Sequence, residues 1–220
     1  EGARAIELQT NAIRLAEPGL ARALAEAGVD EAFISLHGST AEISDAVTNA
    51  PGTFARTVVG IDQVVAAGIT TRVNFVFCRA NLEDFPAYVE LVAARWPAAM
   101  LVVSFVATST DVVPRTAELQ PRYSEVIPPL ADGLRRAAAR GLVVTGFDSM
   151  CGIPLCLVPR DVREFFTLAT VPEGFDGGEF IKAAACERCE LQDKCFGVRR
   201  GYAELHGTDE FRPVRADTPA

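Results

Sequence analysis

Apolar and polar positions alternate along the first two thirds of the chain in a way that predicts β-strands separated by amphipathic helices. The predicted strands are short apolar runs, and the predicted helices repeat apolar residues at intervals of three and four. The clearest helical face carries Phe54, Val58, Ile61 and Val65. We predict strands at 4–10, 32–37, 72–78, 100–107 and 142–147, and helices at 18–27, 53–67 and 122–140.

Caps and helix-breaking residues mark the ends of these elements. Glycine follows the last turn of three predicted helices, in the joints Glu26-Ala-Gly28, Ala66-Ala-Gly68 and Ala139-Arg-Gly141. Ser39 to Glu42 has the form of a capping box and predicts a short helix, and Asn81 to Asp84 predicts the start of another that ends before Pro97. Pro128 and Pro129 are expected to break or kink the helix over 122–140.

The repeated alternation of strand and helix predicts a parallel sheet, either open or closed into a barrel. Parallel α/β folds place their chemistry at the carboxyl ends of the strands. In this chain those ends carry Thr10 and Asn11, the segment from Ser35 to His37, the segment from Asn74 to Asn81, and the segment from Ser104 to Thr110. Ligand contacts are therefore expected from these four segments.

The last third of the chain has a different character, because the β/α alternation stops and cysteine, glycine and charged residues become frequent. Five of the six cysteines lie here, at Cys151, Cys156, Cys186, Cys189 and Cys195. A CxxC pair followed six positions later by a third cysteine has the spacing of metal ligands, which suits zinc and iron–sulfur clusters alike. An odd number of clustered cysteines favours metal over disulfides.

Composition narrows the class of protein. Lys and Arg number 21 and Asp and Glu number 29, so the net charge is −8, which argues against nucleic acid as a partner. No apolar run reaches transmembrane length, and the N-terminus does not read as a signal peptide. We therefore expect a cytoplasmic protein with no membrane partner. The chain reaches a strand within its first few residues and is expected to be the remainder of something longer.

Several segments, taken in order, resemble the radical SAM superfamily with SPASM or twitch auxiliary domains. Leu8-Gln-Thr-Asn11 resembles the "TNG" segment of the third barrel strand, and Ile34-Ser-Leu-His-Gly38 resembles the "SLDG" or "SLHG" segment of the fourth. Val73-Asn74 and the run from Asn81 to Phe85 resemble the fifth strand and its continuation. The spacing Cys186-x2-Cys189-x5-Cys195 matches the SPASM core.

Two features depart from that family. The CxxxCxxC motif that holds the SAM-cleaving cluster is absent, as is the "GGE" segment, so the chain corresponds to the family from its third strand onward. The SPASM pattern is also incomplete, because Cys151 and Cys156 stand closer together than in the family and position 199 is Arg rather than a further cysteine. With five cysteines available, one auxiliary cluster is expected rather than two.

The resemblance implies a partial parallel (β/α) barrel of the radical SAM type over 1–150, an auxiliary iron–sulfur domain over 151–207 that closes over the end of the sheet, and a tail over 208–220. It implies that Ser35 and Asn74 line a SAM pocket, and that four of the five clustered cysteines ligate a [4Fe-4S] cluster, with Cys151 and Cys156 as alternatives for the fourth place. No catalytic residue is identified.

The implied activity is that of a radical SAM oxidoreductase or maturase that forms a 5′-deoxyadenosyl radical. SAM and a second [4Fe-4S] cluster would belong to the full-length protein, a reductase or flavodoxin would donate electrons, and the substrate would be a peptide or a small metabolite. The alternative is a non-catalytic α/β scaffold that binds zinc or an iron–sulfur cluster. Cys78, at the end of an apolar strand, is expected to be a buried small hydrophobe instead of a ligand.

Overall fold

The computed structural model describes residues 4–106, 116–147, 152–174 and 178–215. Its central feature is a five-stranded parallel sheet, with the strands in the order β1-β2-β3-β4-β5. The strands are β1 (Glu7–Thr10), β2 (Glu31–Ser35), β3 (Thr70–Phe77), β4 (Met100–Phe105) and β5 (Val144–Thr145). The five predicted strands are therefore all present, and most are shorter than the apolar runs that predicted them.

The order of the strands distinguishes a barrel-type sheet from a doubly wound one. Each strand pairs with the next one along the chain, whereas a doubly wound sheet reverses its order at a switch point. Right-handed crossovers between strands in sequential order place all the helices on one face of the sheet, as in a (β/α) barrel. The predicted fold class, a partial parallel (β/α) barrel, is confirmed.

Helices connect the strands and cover the outer face of the sheet. They are α1 (Leu20–Glu26), α2 (Ala41–Thr48), α3 (Thr53–Ala66), α4 (Phe85–Arg95) and α5 (Tyr123–Arg140), with a 3-10 helix over Arg79–Asp84 before α4. Alternate residues of the central strands point into the core beneath these helices, among them Ile34, Val73, Phe75 and Leu101, all fully buried. The side chains between them belong to the opposite, concave face.

Three local predictions were wrong. The predicted break at Pro128 and Pro129 does not occur, because α5 continues through both prolines. Its buried face, which includes Val126, Leu130 and Leu134, packs along the core and offsets the missing backbone hydrogen bonds.

The other two wrong predictions each assigned a role to the residue next to the one that has it. On α3 the buried residue is Val64, which is fully buried, while Val65 is 37% exposed. The N-cap of α2 is Thr40, whose side chain accepts from the Ile43 N–H, and not Ser39. The Ser39 N–H instead donates to the buried carboxylate of Asp84, which follows β3.

The cysteine-rich segment contains little regular structure. It has two-residue strands β6 (Phe180–Ile181) and β7 (Val198–Arg199), which pair antiparallel, the helix α6 (Arg200–His206), and 3-10 turns at Leu155–Leu157, Arg160–Phe165 and Ala184–Arg188. The helix α6 thus follows β7 directly. The segment packs along α5, where Tyr202 stacks on Tyr123 with ring centroids 4.1 Å apart.

Residues 208–215 lie against the same segment. The Glu190 N–H donates to the Val214 carbonyl oxygen, and Phe211 is buried in the main hydrophobic cluster. In the parts of the chain that the structure describes, no helix has the length and apolar character needed to cross a membrane.

Candidate functional site

The first candidate site is a row of polar side chains on the concave face of the sheet. Ser35 on β2 pairs in register with Asn74 on β3, Asn74 pairs with Val102, and Val102 pairs with Thr145 on β5. Residues in register share a face of the sheet, so these four side chains form one row across four strands. The structure thus brings together Ser35 and Asn74, the two residues predicted to line a SAM pocket.

One hydrogen-bonding group of this row, Thr145 Oγ1, is buried without a partner among the described residues. The Asn74 Oδ1 accepts from the Ser104 Oγ at 2.7 Å, which fixes the orientation of the amide. Buried polar groups are normally paired, so such a row is suited to a bound ligand or ordered water.

His37 follows β2 directly and lies half-buried beside this row. Its Nδ1 accepts from the Val76 N–H at 3.3 Å, so in the neutral ring the proton is on Nε2. Burial lowers the pKa of His37, against a smaller opposing effect of the backbone at Asn74. The imidazole is therefore a neutral donor at physiological pH.

Two buried side chains that the sequence suggested only as helix caps hold this end of the sheet together. Asn81 Nδ2 donates to the His37 and Val76 carbonyl oxygens, and Asn81 Oδ1 accepts from the Cys78 N–H. Asp84 accepts from both the backbone N–H and the Oγ of Ser39. Both side chains therefore support the loops after β2 and β3. The sequence alone does not reveal this role.

The second candidate site is a cavity in the cysteine-rich segment. Four of its lining residues are Cys156, Cys186, Cys189 and Cys195, and all four are free thiols. The 3-10 turn over Ala184–Arg188 brings Cys186 and Cys189 to one side of the cavity. Cys151 lies outside the described residues, so its placement as an alternative ligand stays a prediction.

The surroundings of the thiols show how the chain holds them. The Cys195 Sγ accepts from the Leu155 and Gly197 N–H groups at 3.5 and 3.4 Å. Burial raises the pKa of Cys195, and burial together with the neighbouring thiols raises the pKa of Cys156 to about 11. Metal binding to these thiols would displace protons, and hydrogen bonds to sulfur would then stabilise the thiolate charge.

The arrangement of the four thiols bears on which metal or cluster the cavity could hold. Within the described ranges, no group of three or more His, Cys, Asp or Glu side chains is arranged to hold a metal ion. A single zinc draws four ligands to about 2.3 Å from one centre, whereas a [4Fe-4S] cluster takes each thiolate on a different iron and spreads them further apart. The four cysteines line one cavity, and both kinds of metal site stay predictions for it.

Cys78 is 5% exposed and lies outside the cysteine-lined cavity, as predicted for a small buried hydrophobe. The cysteine-lined cavity and the polar row share no lining residue among those described. The structure therefore defines two separate candidate sites, one on the sheet and one in the C-terminal segment.

Comparison with known proteins adds named relatives to this geometry. No family model matches the chain. An AdoMet-dependent heme synthase from Oleidesulfovibrio alaskensis is 27% identical over 237 positions, covering 80% of this chain and 58% of that protein. Mycofactocin maturase MftC from Mycobacterium ulcerans is 37% identical over 37% of this chain and 23% of its own length.

Two further proteins are similar to parts of this chain. An AdoMet-dependent heme synthase from Methanosarcina barkeri is 33% identical over 39% of this chain and 24% of its own length. The crystal structure of a radical SAM methyltransferase from Sphaerobacter thermophilus overlaps 68% of this chain and 42% of its own, with 18% identity and a TM-score of 0.42. That overlap is too slight to carry an argument by itself.

A parallel sheet wound in sequential order, with family-like segments in the right order along it, agrees with the resemblance to the radical SAM superfamily. The chain is similar to these curated relatives, two of which are named AdoMet-dependent. It spans 58% of the length of the heme synthase from Oleidesulfovibrio alaskensis and about a quarter of the other two curated relatives.

Proposed function

We propose that this chain forms the later part of a radical SAM enzyme that cleaves S-adenosylmethionine reductively and uses the resulting 5′-deoxyadenosyl radical to modify a peptide or a small metabolite. The observation that carries the proposal is the polar row on the concave face of a barrel-type sheet, where Ser35 pairs in register with Asn74 and Thr145 Oγ1 is buried without a partner among the described residues. The relatives' AdoMet-dependent names support the cofactor.

In this proposal the row binds the methionyl carboxylate or the ribose of SAM. Asn74 Nδ2 and Ser35 Oγ supply hydrogen bonds from neighbouring strands, and Ser104 holds the Asn74 amide in orientation. His37 donates from Nε2 as a neutral imidazole, since burial lowers its pKa. Asn81 and Asp84 keep the loops that carry these groups in place.

The second part of the proposal is an auxiliary [4Fe-4S] cluster held by Cys156, Cys186, Cys189 and Cys195. When bound, such a cluster supplies one-electron chemistry, and the cavity keeps it partly away from water. Metal ligation would also add folding free energy to a segment that has little regular structure. A reductase or flavodoxin is the proposed electron donor, and the cytoplasm the proposed compartment.

The cluster is tested by anaerobic reconstitution followed by iron and sulfide assays. We expect about four of each per chain, by the four-thiolate ligation of such clusters, and a brown protein. Cys189→Ala and Cys195→Ala should each lose the iron, while Cys78→Ala, which removes a buried thiol outside the cavity, should keep it. Comparing Cys156→Ala with Cys151→Ala identifies the fourth ligand, which we propose to be Cys156.

Two outcomes would contradict this assignment. Loss of iron in Cys78→Ala with retention in Cys189→Ala would show that the wrong cysteines were chosen. A colourless protein that contains zinc alone would favour the non-catalytic scaffold instead.

SAM cleavage is tested on the full-length protein encoded around this chain, with dithionite as reductant and chromatography of 5′-deoxyadenosine. We expect product from the wild type and a clear loss in Asn74→Ala, with Gln63→Ala on the exposed face of α3 as the matched control. Equal product from Asn74→Ala and wild type would remove the polar row from the proposal. The 220-residue chain alone is expected to form none, since it contains no CxxxCxxC motif.

A further inference from the structure

A broad cavity of about 570 Å³ lies in the cysteine-rich segment. It is open to solvent, and its volume is within the range for small-molecule sites. It shares two wall residues, Cys156 and Pro213, with the cysteine-lined cavity. Its other lining residues are Leu157, Val158, Pro159, Arg160, Asp161, Arg163, Arg212 and Val214.

The charge of this cavity is opposite to that of the chain. Three guanidinium groups line it, from Arg160, Arg163 and Arg212, in a chain whose net charge is −8. The one carboxylate in the wall, Asp161, is paired with Arg135 on α5 at 2.6 Å, so little of its charge is left to balance the arginines. Arg163 and Arg212 therefore give the wall of this cavity positive charge.

The side chain of Arg163 gives the strongest evidence that this cavity binds an anion. Its side chain is anchored by one terminal nitrogen, which donates to the Val158 carbonyl oxygen at 2.8 Å. Its Nε is buried and has no hydrogen-bond partner among the described residues. A bound anion would give this nitrogen the hydrogen-bond partner that it lacks.

The walls around the arginines are apolar. Leu157, Val158, Pro159, Pro213 and Val214 supply aliphatic and proline surface beside the charged groups. A ligand that is a bare inorganic anion would leave this surface unused. An organic molecule with an anionic end and an apolar body would cover both, and a guanidinium fork matches carboxylate and phosphate oxygens.

We propose that this cavity binds the carboxylate or phosphate end of an organic ligand, with Arg163 and Arg212 as its anion contacts and the aliphatic wall against its apolar part. The shared wall at Cys156 places such a ligand directly beside the cysteine-lined cavity. The binding itself does not depend on the cluster or on SAM cleavage, so it is tested separately from the proposed function.

The test is a fluorescence titration of the full 220-residue chain, prepared anaerobically, with 1-pyrenebutyrate and with 1-pyrenebutanol. The two probes share an apolar body and differ in the carboxylate. We expect saturable binding of pyrenebutyrate that is roughly tenfold tighter than that of pyrenebutanol, and roughly tenfold weaker in Arg163→Gln, because one charge-assisted bond is lost. Arg212→Gln should weaken it several-fold.

Matched controls separate binding from folding and from a role in charge balance. Arg22→Gln removes a guanidinium from the exposed surface of α1 and should leave binding unchanged. Each variant is checked for its thermal unfolding midpoint and iron content. If Arg163→Gln fails to fold, Arg212→Gln, which changes an exposed side chain, carries the test.

The outcomes are distinguishable. Displacement of pyrenebutyrate by butyrate or by phenyl phosphate supports the proposal and identifies the preferred oxyanion, whereas displacement by neither overturns it. Equal affinity for the two pyrene probes, or binding that is unchanged in both arginine variants, would also overturn it. In that case a loss of iron in the arginine variants would assign the guanidinium groups to balancing the charge of the cluster.

Discussion

Asn81 is expected to contribute more to stability than any comparable polar side chain near the polar row. It is 1% exposed and makes three hydrogen bonds of 2.9 to 3.0 Å to backbone groups at His37, Val76 and Cys78. These bonds join the carboxyl end of β2 to that of β3 and fix the turn between β3 and α4. Asn81→Ala would remove all three at once.

The magnitude follows from the groups left behind. Two carbonyl oxygens and one N–H would lose their side-chain partner, and a lost hydrogen bond at a buried group costs about 1 kcal/mol on average, or up to about 3 kcal/mol when the group stays unpaired. Three such losses give about 3 kcal/mol at the average value, and up to about 9 kcal/mol if all three groups stay unpaired. That is a large share of the roughly 5–15 kcal/mol by which a domain is stable.

The measurement is urea unfolding of the metal-free chain, followed by circular dichroism. Asn11→Ala is the matched control, because Asn11 is exposed and makes one 3.2 Å bond to the Ile13 N–H. We expect it to cost about 0.5 kcal/mol. Asn81→Asp keeps the acceptor for the Cys78 N–H but turns a carboxylate oxygen toward two carbonyl oxygens, so its stability should rise as the pH falls and the new group is protonated.

Two results would refute this reasoning. A cost for Asn81→Ala within 1 kcal/mol of that for Asn11→Ala would mean that water replaces the amide at no penalty. A pH-independent Asn81→Asp would mean that the carbonyl oxygens do not face the side chain.

Two further predictions concern charge and packing. Arg79 binds both oxygens of Glu125 at 2.8 and 3.0 Å and lowers the pKa of Glu125 to about 2. Its stabilisation is therefore present above the ordinary pKa of about 4.5 and is lost as the pH falls toward 2, so Glu125→Gln should flatten the acid limb of urea-unfolding stability, unlike exposed Glu26→Gln. A Cβ on Gly60 would lie 2.1 Å from the Ala12 carbonyl oxygen, so Gly60→Ala should destabilise the chain by about 1–3 kcal/mol in urea unfolding despite its better helix propensity.

A different experimental result would contradict each of these two predictions. An unchanged acid limb in Glu125→Gln would show that solvent screens the ion pair, which is 39% exposed on the glutamate side. For the glycine, Val59→Ala on the exposed face of α3 serves as the control. A Gly60→Ala chain as stable as that control would mean that α3 can move away from the loop after β1.

Local sequence was sufficient to predict the secondary-structure elements that depend on neighbouring residues. The apolar runs gave all five strands of the sheet, and glycine after a last turn marked the ends of α1, α3 and α5. It failed where a distant contact outweighs local preference. Pro128 and Pro129 remain inside α5 because the core holds that helix, and Ser39 does not cap α2 because Asp84, 45 residues away, binds it.

For the candidate sites the division is similar. The cysteine spacing predicted a metal site, and the family-like segments predicted Ser35 and Asn74, because both signals are written in consecutive residues. Sequence could not choose between an open sheet and a barrel, since that depends on which strands pair. It also gave no sign of the arginine-lined cavity, whose residues come from segments about 50 positions apart.

The sequence by itself therefore determined the kinds of secondary-structure elements and their order, and it predicted metal ligation by the cysteines, because hydrophobic period and ligand type are local properties. Only the tertiary structure decided the sequential winding of the sheet, the row from Ser35 to Thr145 and the gathering of Cys156 with Cys186, Cys189 and Cys195. These depend on strand register and on long-range packing, where each contact is made by residues that no local pattern connects.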